Sequence, residues 1–241
     1  MSKQRVIDRR FKPPVAGVDL EQSLNYIRLA DVGDAFIYQR YTGSRLLYVK
    51  GSQPRLEKIA SDVIGKTSNA MKKVQLLADY VAKQMPWAGI YEHRTGKPCP
   101  VDRAMNEQQL LRSRMGWCNE QARVLCALTQ VSGMTSRLVF GANLRKKYGH
   151  VVTEVLLPEG WLMVDQSFGY LFEIKGKPFR ASQIWHSASG RKYFEPIYRD
   201  MCAGLIDEIG MKIVRRDFGM AAAKNPLDGF SDIGYHNHFI H

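Results

Sequence analysis

The run from Trp117 to Val131, WCNEQARVLCALTQV, constrains this chain more than any other segment. It is rich in helix formers, and apolar side chains occupy most of its circumference. A helix that is hydrophobic on nearly every side belongs at the centre of a domain. Gly116 precedes it and Gly133 follows it. Beyond Gly133 the pattern changes. SRLVFGA, GHVVTEVLL and GWLMVDQ are rich in β-formers and are separated by short turn-like pieces such as Pro158-Glu159-Gly160. One enclosed helix followed by closely spaced strands predicts an α+β domain, with the helix packed on an antiparallel sheet.

Before that helix, Met71, Val74, Leu77, Ala78, Val81 and Met85 recur at three- and four-residue spacing behind the capping candidates Thr67 and Ser68. This predicts an amphipathic helix ending before Pro86. Gly89, Gly96, Pro98 and Pro100 make the stretch from Trp87 to Val101 read as a loop. Further upstream, Pro13, Pro14 and Gly17 suggest an extended lead-in, and LEQSLNYIRLA and RLLYV suggest a helix and then a short strand. Downstream, LFEIKG reads as a strand and Ile197 to Ile209 as a helix. The chain therefore divides into an extension over 1–54, a core domain over 55–195 and a second extension over 196–241.

Composition narrows the function classes. The 45% of hydrophobic residues is ample for a packed core, yet no run is long enough to span a bilayer. MSKQRVIDRRFKPP has basic residues without the apolar stretch of a signal peptide, which predicts a cytoplasmic protein. Cys99, Cys118, Cys126 and Cys202 show no paired C-x-x-C spacing, so reduced thiols are expected and no zinc site or disulfide framework is suggested. No spaced acidic residues suggest a calcium loop. His236, His238 and His241 lack acidic or cysteine neighbours and read as tail. The formal charge of +12 is spread along the chain, and Arg145-Lys146-Lys147 is too short for a nucleic-acid arm. No specific nucleic-acid partner is expected, and no metal.

Cys118 stands at the first turn of the central helix, where the exposed N–H groups favour a thiolate. Cys126 lies deeper in the same helix and reads as a small hydrophobe. A nucleophilic thiol needs a histidine to hold it and to protonate a leaving amine, and a third group to orient the imidazole. If GHVVTEV and GWLMVDQ form a hairpin in which Val155 faces Gly160, then His150 faces Asp165, with Cβ atoms roughly 4.5–5.5 Å apart. An imidazole–carboxylate bond is then within reach.

The segments from Ala104 through Gly169, including AMNEQQLL, MGWCNEQARVL, SGMTSRLVFG, GHVVTEV and WLMVDQS, resemble the core of the transglutaminase-like superfamily. The preceding NAMKKVQLLADYVAKQMPW resembles the helix that leads into that core. The resemblance implies a papain-like core with Cys118 as nucleophile, His150 as general base and acid, and Asp165 as the orienting carboxylate. It implies an oxyanion site formed partly by a backbone N–H at the nucleophile and partly by an upstream side chain, for which Trp87 is the candidate and Gln109 the rival. It implies acyl chemistry on amides through a thioester, with no cofactor. A cysteine peptidase or amidase ranks first, because hydrolysis needs no second binding site, and a cross-linking transglutaminase second. The implied partner is a protein or peptide substrate, an acidic one if Arg145-Lys146-Lys147 helps to select it. Arylamine N-acetyltransferases also use Cys-His-Asp, but their long Arg-Gly-Gly approach to the nucleophile is missing. A binding module with a vestigial triad is the reading from another class.

Overall fold

The computed structural model describes residues 50–102, 105–143, 148–185, 188–209 and 232–236. The elements read between residues 19 and 49, and the Arg145-Lys146-Lys147 group, lie outside these.

Helix α1 (Pro54–Ile64) starts at a proline whose missing N–H costs nothing in a first turn, and it buries Leu56 and Ala60. Helix α2 (Ala70–Gln84) is the amphipathic helix expected from spacing, and it buries Val74, Leu77, Ala78 and Val81. Its cap is Asn69 rather than Thr67 or Ser68, with the side-chain oxygen accepting from the Lys72 N–H at 2.8 Å.

The stretch from Trp87 to Val101 is not all loop, because α3 (Ala88–Thr95) occupies half of it. Its two glycines serve the helix instead of interrupting it. Gly89 lies in the first turn, where an added Cβ would come within 2.0 Å of the Trp87 ring. Gly96 takes the left-handed cap position at φ 66°. Helix α4 (Glu107–Ser113) follows, and then the central helix α5 (Cys118–Val131), where Ala122 and every residue from Val124 to Gln130 are buried.

Strands β1 (Thr135–Asn143), β2 (Tyr148–Leu157) and β3 (Gly160–Asp165) match the three segments read from sequence. LFEIKG is not one strand but parts of β4 (Tyr170–Leu171) and β5 (Glu173–Ile174). Between them the buried Phe172 donates its N–H to the Met163 carbonyl and accepts from Phe179. Strand β5 pairs with β6 (Lys177–Pro178). Helices α6 (Ala181–Trp185) and α7 (Ala188–Ile209) come next, and α7 starts before the expected Ile197 and runs through the domain end expected at 195. A further strand, β7 (Asp232–His236), completes an antiparallel sheet of order β4-β3-β2-β1-β7.

The sheet is covered on both faces. On one, Val155, Leu162 and Val164 pack with α1, α2 and α5. On the other, Val139, Val152 and Met163 pack with Phe172, Ala181, Ile184 and Phe194. That second face also encloses an ion pair, Arg137 and Glu154, which are cross-strand partners and fully buried. Arg137 Nε donates to Glu154 Oε2 at 2.7 Å, and the Ala181 N–H donates to Oε1 at 2.6 Å. The guanidinium lies 4.1 Å from the Trp161 ring centre.

Candidate active site

Cys118 is the first residue of α5 and is half-buried. The chain enters the helix in an extended conformation at Trp117, whose N–H donates to Glu120 Oε2 at 3.1 Å. That carboxylate, reaching back from the first turn, satisfies a donor the helix would leave open. The entry is fixed from outside as well. The Ala88 N–H donates to the Gly116 carbonyl at 2.9 Å, and the Trp87 and Trp117 rings meet edge to face at 5.4 Å. Trp87 is thereby brought to the residue that precedes the thiol, and it is buried.

Gly89→Ala tests this arrangement. The new methyl cannot coexist with the Trp87 ring, so the variant is expected to lose about 1–3 kcal/mol in urea unfolding. A shift in tryptophan fluorescence should accompany the loss. Wild-type stability and emission would contradict it.

The β2–β3 hairpin corrects the expected register. Leu157 pairs with Gly160 and Val155 with Leu162, so the connection is the tight Pro158-Glu159 turn rather than a longer loop. This slides the strands by two residues relative to the expectation. Because side chains alternate with period two, the slide leaves His150 and Asp165 on one face, now as diagonal instead of direct neighbours. They still bond: His150 Nε2 donates to Asp165 Oδ2 at 2.8 Å, with both side chains buried. The Ser167 N–H donates to Oδ1 at 3.1 Å and fixes the carboxylate plane.

Helix α5 does not cover the face expected to carry these two residues. It packs beside Val151, whereas His150 and Asp165 belong by alternation to the other set of side chains. Cys118, His150 and Asp165 come together because each lies at or near the end of its element. Burial lowers the affinity of His150 for a proton, but the Asp165 charge and hydrogen bond outweigh it, and Cys118 adds to them. The result is a pKa raised to about 10. Asp165 thus occupies the Nε2 side of the ring.

The other described cysteines are Cys99 and Cys126. Burial pushes the Cys126 thiol up to about 12, and burial with nearby Glu92 and Glu120 raises that of Cys99. Gln109 is exposed, and its side-chain oxygen accepts the Asn106 N–H at 2.9 Å in the capping box of α4. That side chain is committed to its own helix end. Among the described residues, no three His, Cys, Asp or Glu side chains are grouped to hold a metal. No described helix is long and apolar enough to cross a membrane.

Two buried amides at the site have no distinct signature in the sequence. Gln121, on the helix turn after Cys118, donates to the Met85 carbonyl at 2.6 Å and accepts from Ser167 Oγ at 2.6 Å. Gln166 bonds the carbonyls of Cys118 and Val151. The only sequence signal was a polar residue beside Asp165.

A mixed domain with a central helix on an antiparallel sheet is the class this fold defines. Within it, residues 57–166 match the family model of the transglutaminase-like superfamily, and this part of the chain is similar to that superfamily. Among solved structures, a candidate cysteine protease from Cytophaga hutchinsonii is similar at 17% identity and TM-score 0.39, over 63% of this chain and 46% of that one. The periplasmic domain of TgpA from Pseudomonas aeruginosa is similar at 21% identity and TM-score 0.38, over 48% of this chain and 43% of that one. A structure described as a TGase is similar at 16% identity and TM-score 0.38, over 69% of this chain and 44% of that one. Each of these matches spans less than half of the solved chain. No curated protein matches the sequence.

Proposed function

We propose that this chain is a thiol enzyme that cleaves amide bonds of a protein or peptide substrate through a thioester on Cys118. In this reading Cys118 Sγ attacks the carbonyl carbon and His150, as imidazolium, gives its proton to the leaving amine as the C–N bond breaks. His150 then takes a proton from water as the water oxygen attacks the thioester, and the C–S bond breaks to release the acid and restore the Cys118 thiolate beside the imidazolium. Asp165 holds the imidazole throughout. The backbone N–H at Cys118, with Trp87 as the upstream candidate, would receive the oxyanion. An amine in place of water at the second step would give transamidation, and hydrolysis ranks first because it needs no acceptor site. The observation that carries the reading is the buried 2.8 Å bond between His150 and Asp165, with Cys118 among the groups that hold the imidazole charged.

The test is iodoacetamide labelling at pH 6.5, followed at each cysteine by mass spectrometry. Cys118 is expected to react at least about tenfold faster than Cys99 and Cys126. Equal rates at the three thiols would sink the thiol-enzyme reading and favour a binding module.

A further inference from the structure

We propose that Gln166 is a positioning residue that sets the separation between the Cys118 thiol and the His150 imidazole, an inference that rests on the thiol-enzyme reading above. Gln166 is fully buried and directly follows Asp165, the last residue of β3. Its Nε2 donates to the Cys118 carbonyl at 3.1 Å and to the Val151 carbonyl at 2.9 Å. Val151 is the residue after His150, so one planar amide joins the backbone of the nucleophile to the backbone beside the base. Its Oε1 lies 3.4 Å from the Thr153 hydroxyl, which is also 3.3 Å from the Ala122 carbonyl in α5.

The chemistry of the site accepts little else. A primary amide carries two N–H donors at a fixed angle, and both are used by carbonyls on two different elements. Turning the amide over would set its oxygen against both carbonyls and leave buried groups unsatisfied. Methionine has the right length but no donor, and a carboxylate would face two carbonyl oxygens. The neighbours of Gln166 bond the same two elements separately. Asp165 holds His150 on β2, and Ser167 Oγ donates to Gln121 Oε1 on α5 at 2.6 Å. Gln166 bonds both elements through one amide, so it fixes the helix start relative to the strand. It touches none of the reacting atoms and acts through the two backbones.

The experiment uses the full chain with Gln166→Met, and with Thr153→Val as an isosteric change that removes the hydroxyl beside Oε1. Iodoacetamide labelling of Cys118 is followed between about pH 5 and 10, with Cys99 as the internal reference, beside thermal unfolding. The expected result for Gln166→Met is about a tenfold slower Cys118 reaction at pH 6.5, a displaced profile and an unchanged Cys99. For Thr153→Val the expected loss is about threefold. A folded Gln166→Met that keeps the wild-type Cys118 profile overturns the role, whatever its Tm, because a purely structural amide would lower Tm alone. Should Gln166→Met not fold, a wild-type profile in Thr153→Val overturns it. If wild-type Cys118 reacts no faster than Cys99, the thiol-enzyme reading falls and the Gln166 role with it. A fast wild type with an unchanged, folded Gln166→Met removes the Gln166 role alone.

Discussion

Replacing His150 by glutamine is expected to slow Cys118 alkylation at pH 6.5 by about two orders of magnitude. An ordinary thiol is only about one-hundredth ionised at that pH, so losing the cationic partner forfeits roughly that factor. Turnover of an amide substrate should fall further, because the variant also loses the group that protonates the leaving amine, a role worth about 10²–10⁴-fold. The pH profile carries an independent signature. Burial opposes the charge on His150, but Asp165 and then Cys118 raise its pKa to about 10. The alkaline limb of activity should therefore lie near that value. In Asp165→Asn the main supporting charge is gone and the limb should move to lower pH. Stability follows the same linkage. The folded value lies above that of an unfolded histidine, so the charged pair stabilises the fold fully below about pH 6.5, and this contribution is lost as pH rises toward 10. An unchanged alkylation rate in His150→Gln, or an alkaline limb indifferent to Asp165→Asn, would refute the assignment.

Removing Glu154 is expected to be the most damaging single change outside the site. Its carboxylate is fully buried, receives Arg137 Nε at 2.7 Å, and also accepts the first N–H of α6 from Ala181 at 2.6 Å. Glu154→Ala leaves the guanidinium buried without its counter-charge, which costs about 3–5 kcal/mol. The double variant Arg137→Met/Glu154→Leu removes both charges and keeps the volume, so it should recover most of that loss. Urea unfolding followed by circular dichroism measures both. A single variant within about 1 kcal/mol of wild type, or a double variant as unstable as the single, would show that the pair does not act as a unit.

Much of the fold was legible because the relevant patterns are local. The all-round apolar run of α5 and the β-rich segments of β1 to β3 declare themselves within a short window. Register was harder. Leu156 and Leu157 belong to β2, and the turn is confined to Pro158-Glu159, with Gly160 at φ 132°. An error of two residues preserved the face and hence the pairing of His150 with Asp165, whereas an error of one would have separated them. The stretch after Trp87 departs from the expected loop because its glycines do not break the helix, and Gly89 is demanded by the Trp87 ring above it. Helix α1 carries a readable stripe of Leu56, Ile59, Ala60 and Val63 behind Pro54. Gln166 and β7 were not legible at all. A glutamine that clamps two backbones resembles a solvated one in sequence, and a five-residue strand takes its meaning from its distant partner.

That partner is β1, and the pairing bears on how the chain is made. Val139 pairs with Tyr235, so the flank of β1 opposite β2 is covered by a segment synthesised long after it. During vectorial synthesis β1 and β2 can zip together early, while the outer row of N–H and C=O groups on β1 waits. An open row of that kind is a template for any other extended chain. The nascent protein thus passes through an interval in which its sheet has an unguarded side, and crowding on a polysome would favour mispairing between neighbouring chains at that strand.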